Sequence, residues 1–405
     1  MTSEQNRILH WMHNHPPIIK LFGDALVLLG AFALYKIKRL RKLDCCKLVL
    51  AILSLSSAIL LKKNFNTVRP KALCHKKFTE FFTKSAQLVM INNFPVLILK
   101  TMNTQENGII QGKFFARAIY SMKSKNILPT LSESADRVME KFKKLIPENY
   151  LAEMQGIIEG YQTQKAKLNL SGRDLTLKEL IFFHLRPEQK QFKELANLAP
   201  FETIHSSVTI DCPEKQGFVM ESNVDWKSRG VMGSYSFLVA RKCDEDTITL
   251  SLTVPGMVGN LNGINSSGLC LSVSECSADL EDIKGVPAVF YSRLCLEQCK
   301  RIKQITTFGE KPTGSFDLSV IDSKKAAIIH YQPKIHIDSE VKKYVNSPLK
   351  VNNHSETPIS NINTIQSIVF NPAGPEIAIA TENGWAADKS KQTFKVNEIA
   401  QKYLG

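Results

Sequence analysis

Histidine, cysteine, serine and the carboxylates are the residue types here whose spacing could carry chemistry. The nine cysteines form no Cys-x-x-Cys pair and no Cys/His set with zinc-ligand spacing. Cys295 and Cys299 fall on one face of a predicted helix and read as packing. An odd count without a framework favours reduced thiols over a secreted disulfide scaffold. His75, His330, His336 and His354 show no metal-ligand spacing. Gly263-Ile-Asn-Ser-Ser-Gly268 lacks the strand-to-helix context of a phosphate loop and is predicted to be a turn. Cys212 sits in a Cys-Pro turn. Redox, metal and phosphate-loop chemistry therefore find no support.

A group of polar residues near strand starts and ends remains. His205-Ser206-Ser207 opens an alternating segment, Asn223 and Asp225 close the next, Glu275 follows a third, and Asn353 lies in a polar stretch. Each has a plain reading taken singly. His205 is a buried or site-lining histidine, Ser206 a strand serine and Asp225 a strand-end cap. Glu275 is a solvated carboxylate, and Asn353 a turn former. Any chemical role must come from their order and company.

The elements that would position them change character at Pro200. From Lys71 to Pro200 the pattern is mostly helical, with one strand predicted over Gln87 to Thr101. Gly112 is predicted to open a helix, and Ser132 another, with Glu133 and Asp136 in its first turn. Gly156 and Gly160 share a helix face and permit close packing. After Pro200, short strands are predicted at 203–211, 218–226, 234–242, 247–253 and 269–273. A helix follows from Pro287 to about Ile302, then strands at 316–321, 326–331, 365–370 and 376–381. Strands, a helical layer and strands again indicate a layered α+β domain.

The chain has 405 residues, enough for about two or three structural units. Its 43% hydrophobic and 22% charged content excludes wholesale disorder. The +14 net charge suits nucleic acid or an anionic membrane surface. The basic residues are scattered, except for a cluster from Lys36 to Lys47 between two apolar runs, Leu21 to Tyr35 and Leu48 to Leu61. That placement favours a membrane, and no nucleic-acid module is present. A spanning helix needs about 20 apolar residues, so each run must recruit its flanks. A membrane hairpin within residues 18–61 is the expectation, with a soluble helical hairpin the alternative. Lys62, Lys63, Arg69 and Lys71 leave its orientation open. The expected organisation is residues 1–70 as this N-terminal region, 71–200 as a helical part and 201–405 as a β-rich part carrying the site.

Several stretches resemble one family in order and spacing. They are Gly156-Ile-Ile-Glu-Gly160, His205-Ser-Ser-Val208, Ser222-Asn-Val-Asp-Trp226, Pro255-Gly-Met-Val-Gly259 and Gly263-Ile-Asn-Ser-Ser-Gly268. Gly285-Val-Pro287, Asn352-Asn-His354 and Ser367-Ile-Val-Phe-Asn-Pro372 continue the series. The pattern is similar to that of the isopenicillin-N acyltransferase-like and carcinine-hydrolase-like Ntn hydrolases, with acid ceramidase more distant. The resemblance spans residues 87 to 385 and implies a four-layer αββα sandwich. It implies hydrolysis or transfer at linear acyl amide C–N bonds, with no cofactor or metal. In such enzymes the chain cuts itself before the nucleophile, and the freed α-amine serves as base.

The resemblance carries Asn223, Asp225, Glu275 and Asn353 over as site residues. It also places the family's nucleophilic cysteine on His205 and its arginine on Ser222. A shift of one residue makes Ser206 the nucleophile, but such a slip turns the side chain to the other sheet face, so the two alignments exclude each other. Two functions stay open. One is a membrane-associated hydrolase or acyltransferase cut before Ser206, taking a small acyl amide or lipid-like substrate. The other is an inactive homologue that binds or scaffolds.

Overall fold

The computed structural model describes residues 83–131, 133–192, 195, 203–215, 217–226, 232–275, 284–331, 364–382 and 386–404. All belong to one compact unit, Leu73–Ser228 with Met232–Gly405. The expected membrane segment, residues 18–61, lies outside the described residues. Among those described, no helix is long and apolar enough to cross a membrane.

The unit begins with β1 (Ala86–Ile91) and β2 (Phe94–Leu99), antiparallel neighbours. The sequence suggests one strand here, and the structure corrects this to a hairpin. Asn92 and Asn93 take φ of 50° and 60°, the left-handed pair that a two-residue turn requires and asparagine tolerates. Then come α1 (Thr104–Phe114), α2 (Ala116–Ser124), α3 (Asp136–Lys143), α4 (Glu148–Lys167) and α5 (Leu177–His184). Gly112 does not open a helix. Asn103 caps α1, accepting from the Glu106 N–H at 3.1 Å, and Gly112 lies near its end.

Gly112 instead serves helix contact. A Cβ on Gly108 or Gly112 of α1 would lie 1.9 or 2.2 Å from the carbonyl oxygen of Glu153 or Ile157 on α4. On Gly156 or Gly160 it would meet the Gln105 or Ile109 carbonyl at 2.2 or 2.1 Å. The two helices thus touch backbone to backbone through glycine pairs on both.

The β-rich part supplies β3 (Thr203–Cys212), β4 (Gly217–Trp226), a short α6 (Met232–Tyr235), β5 (Phe237–Lys242), β6 (Ile248–Thr253), β7 (Asn262–Asn265) and β8 (Cys270–Glu275). Then follow α7 (Ala288–Gln298), α8 (Ile302–Thr306), β9 (Phe316–Ile321), β10 (Ala326–Tyr331), β11 (Thr364–Asn371), β12 (Glu376–Thr381), β13 (Gln392–Lys395) and α9 (Val396–Tyr403). Three expectations need correction. Residues 234–236 precede β5 and belong partly to α6. The helix from Pro287 ends at Gln298, where Cys299 leaves helical geometry with ψ 140°. The supposed turn from Gly263 begins as strand β7, with the reversal at Gly268, whose φ is +81°.

The strands form an eight-stranded sheet, β1-β2-β5-β6-β7-β8-β9-β10, and a five-stranded sheet, β13-β12-β11-β4-β3. Because β2 pairs in parallel with β5, the helical part and the β-rich part share one sheet. The sheets pack face to face over a core that includes Ile98, Leu252, Ile264 and Ile321 from one and Met220, Ile368, Phe370 and Ile379 from the other. Alternation along each strand sends these residues inward.

On the outer face of the eight-stranded sheet α7 packs on β6, β7 and β8, whereas α9 contributes Val396 and Ile399 to the core between the sheets. Glu153 of α4, fully buried, accepts from Arg293 of α7 at 2.6 Å and Arg241 of β5 at 3.3 Å. Arg293 also donates to Glu297 at 2.7 Å. These charges tie helix to helix and helix to sheet. A second helical layer, the fourth of the expected sandwich, is not among the described residues.

Candidate active site

Strand register sets which side chains share a face. In the β3–β4 ladder His205 pairs with Val224, Ser206 with Asn223, and Ser207 with Ser222. The Ser207 and Ser319 hydroxyls lie 2.6 Å apart, and those of Ser222 and Ser272 lie 2.7 Å apart. Ser319 and Ser272 are themselves paired on β9 and β8. Four serines therefore join the sheets. They fix the inward face of β3 as the one carrying Ser207 and His205. Ser206, Asn223 and Asp225 occupy the opposite face.

His205 is 7% exposed, and neither ring nitrogen finds a hydrogen-bond partner. Burial lowers its pKa to about 4, so the imidazole is neutral at pH 7. Ser222, which the resemblance aligns with the family arginine, has its hydroxyl engaged with that of Ser272.

On the other face, Asn223 and Asp225 are buried. Asp225 accepts from the Thr364 hydroxyl at 2.5 Å, which Thr364 reaches because the two residues are paired across β4 and β11. The register brings Ser206, Asn223 and Asp225 to one face. Glu275 ends β8 of the other sheet, opposite Phe316, and its side chain lies outside the described residues. Asn353 also lies outside them.

Val224, the pairing partner of His205, helps line a small apolar pocket with residues that include Trp226, Leu252, Met257 and Gln366. Gln366 donates to the Ser236 hydroxyl at 2.9 Å, spanning the two sheets. Trp226 is backed by Phe183 of α5, the ring centres 5.3 Å apart.

The Pro255–Gly259 loop, which brings Met257 to this pocket, is held from the helical layer. The Gly256 N–H donates to Gln111 Oε1 at 2.9 Å and the Val258 N–H to His184 Nε2 at 2.7 Å. Arg293 Nη1 donates to the Val258 carbonyl at 2.8 Å. Gly256 has φ +88°, a conformation open to glycine. Fully buried His184 has its pKa lowered to about 4 by desolvation. Its Nδ1 lies 2.6 Å from the Leu180 carbonyl. Nδ1 therefore carries the proton and Nε2 accepts.

Some notable residues escape the sequence reading. Glu188, in the 3-10 turn Arg186–Gln191, is buried, and desolvation raises its pKa to about 8 despite backbone N–H groups from Ala288 and Gly314. Asn262, 1% exposed, has neither side-chain amide atom hydrogen bonded. Alternation of Asn262 with Ile264, an inward core residue, is the signal that could have found it. His330 Nδ1 lies 2.5 Å from Asp317 Oδ1. Among the described residues no group of histidine, cysteine and carboxylates could hold a metal ion.

Residues 212–374, the part of the chain that carries most of these motifs, match the family of acyl-coenzyme A:6-aminopenicillanic acid acyl-transferase. The match takes in Asn223, Asp225, Glu275 and Asn353 and begins after His205. The match points to the amide hydrolases and acyltransferases of Ntn type.

Among solved structures, the Caenorhabditis elegans orthologue of N-acylethanolamine-hydrolyzing acid amidase is similar at 16% identity and a TM-score of 0.32, covering 47% of this chain and 99% of its own. Penicillin V acylase from Agrobacterium tumefaciens is similar at 11% identity and a TM-score of 0.29, covering 44% of this chain and 82% of its own. No curated protein sequence matches the chain.

Proposed function

We propose that this chain uses an Ntn amidase-type site to bind small acyl amides without cutting them, and that residues 18–61 attach it to a membrane. One observation carries the reading: His205, which the strand-to-strand resemblance sets at the family nucleophile's position, is buried and faces inward between the sheets. A neutral imidazole there supplies neither thiol nor hydroxyl for self-cleavage. The loss of the arginine at Ser222 points the same way, since a cation is missing where the reacting amide would lie.

A second reading is a working hydrolase or acyltransferase released by a break before Ser206. The pairing of Ser206 with Asn223, on the face that also carries Asp225, supports it. Incubating the full chain with a panel of N-alkyl acyl amides and assaying released acid separates the two. Binding without acid is expected. Turnover that disappears in Ser206→Ala and Asp225→Ala would establish the second reading instead. Co-sedimentation with anionic vesicles, lost when residues 18–61 are deleted, is the expected sign of membrane attachment. Sedimentation unchanged by the deletion would contradict it.

A further inference from the structure

Five cations stand together at one corner of the eight-stranded sheet, and the fold pins the backbone that carries them. Lys300, Arg301 and Lys303 lie at the start of α8, and Lys324 and Lys325 belong to the turn between β9 and β10. Asp322 joins the two segments. Its Oδ1 accepts from the Lys324 and Lys325 N–H groups at 2.9 and 2.8 Å, and its Oδ2 from the Ile302 N–H at 3.4 Å. Gln304 Oε1 accepts from the Lys300 and Arg301 N–H groups at 2.7 and 3.0 Å. Just before them, Asn265 donates to the Cys299 carbonyl at 2.7 Å. An aspartate that opens a turn readily bonds the N–H groups that follow it, so the local sequence itself builds this bracket.

All five residues are exposed, and among the described residues none of the five is in an ion pair. Carboxylates around them are engaged elsewhere. Asp322 is buried and turned to backbone N–H groups. Glu297 is bound by Arg293 and by Tyr150, each at 2.7 Å. Asp244, within electrostatic reach of Lys300, accepts from the Asp246 and Thr247 N–H groups at 2.8 and 2.6 Å. The exposed Glu245 and Asp246 follow it in the β5–β6 turn and give the patch an acidic border.

The kind of partner follows from this chemistry. Unpaired cations held together make a field that draws an anionic surface. The five lie on a hairpin turn and one short helix, with no groove to track a nucleic-acid strand. Phe308, the aromatic residue nearest in sequence, packs on Tyr291 with ring centres 6.0 Å apart, so it offers no face for base stacking. A plane of anionic lipid headgroups asks for neither groove nor ring, only for clustered Lys and Arg.

We infer that this corner docks the protein on an anionic lipid surface, Lys300, Arg301, Lys303, Lys324 and Lys325 meeting the headgroups together. The contact is separate from the attachment proposed for residues 18–61, and either can fail alone.

The test is lysine acylation of the full chain at pH 7, read by mass spectrometry. It is run alone, with phosphatidylcholine vesicles, and with vesicles that also hold phosphatidylserine. Lys167 is the internal reference, because it lies about 25 Å along α4 from Tyr150, which bonds Glu297. With the anionic vesicles, Lys300, Lys303, Lys324 and Lys325 should label at least about fivefold more slowly, and Lys167 should not change. That protection should vanish in about 1 M salt, where the Debye length is about 3 Å. The double variant Lys324→Gln/Lys325→Gln alters only exposed side chains and should fold normally. It should cut the protection of Lys300 and Lys303 at least about twofold. Equal protection by neutral vesicles, or protection that outlasts high salt, would overturn the inference. So would unprotected corner lysines in a chain that sediments with the anionic vesicles, a result that leaves the attachment through residues 18–61 standing. Protection by duplex DNA and not by vesicles would overturn it in favour of nucleic acid.

Discussion

The Ser207 hydroxyl meets the Ser319 hydroxyl at 2.6 Å across the gap between the two sheets. This contact decides which face of β3 looks inward, and so sets His205 toward the space between the sheets and Ser206 away from it. It should also be worth energy. In a double-mutant cycle, Ser207→Ala and Ser319→Ala should couple by about 0.5–1.5 kcal/mol in urea unfolding. Strict additivity would mean that the two hydroxyls do not meet.

The two buried histidines make stability depend on acid. His184 and His205 have folded values lowered to about 4 from 6.5. A depressed folded value favours the native state above the unfolded value, and that contribution is lost as pH falls through the folded value. Stability should therefore drop from about pH 6.5 to 4, by about 3 kcal/mol for each histidine. Unfolding of His205→Gln measured at pH 7 and pH 4.5 should show roughly half this histidine-linked loss. An unchanged pH dependence would place His205 in water.

Glu188 acts in the opposite sense. Its folded value is raised to about 8 from 4.5, so its contribution is complete below pH 4.5 and is lost as pH rises through 8. Glu188→Gln, which stays neutral, should be more stable than the wild type at pH 9 and no more stable at pH 4.5. A difference that ignores pH would show that the carboxyl is not buried as described.

The α1–α4 contact leaves no room for a methyl group. Gly108→Ala would place a carbon 1.9 Å from the Glu153 carbonyl oxygen and should cost at least about 1–3 kcal/mol through forced separation of the helices. Gly374→Ala, with nothing within 4 Å of its new carbon, is the control and should change the thermal midpoint little. Equal effects of the two would contradict the packing.

Much of this arrangement could be read from the sequence. The strand readings at β9, β10 and β12 match the structure, and in β12 more and less buried residues alternate as a half-buried strand requires. The Gly156–Gly160 pair was visible because two glycines one helical turn apart have few other uses. Its partner pair on α1 went unseen, since Gly112 alone reads as a helix start. The Asn92-Asn93 turn was hidden because asparagine, unlike glycine, does not announce a positive φ.

The site was legible only in outline. Motif order pointed to Asn223 and Asp225, but the choice between His205 and Ser206 turns on strand register, which depends on pairing partners far along the chain. Asn262 was obscured by the glycine beside it, which made β7 look like a turn.

Intact-mass and N-terminal analysis of the purified chain tests the central claim most directly. An Ntn site with His205 in place of its nucleophile predicts one uncut species of 45.5 kDa, with no new N-terminus. Two fragments of near-equal size, one beginning at Ser206, would contradict the account and restore a self-releasing serine nucleophile.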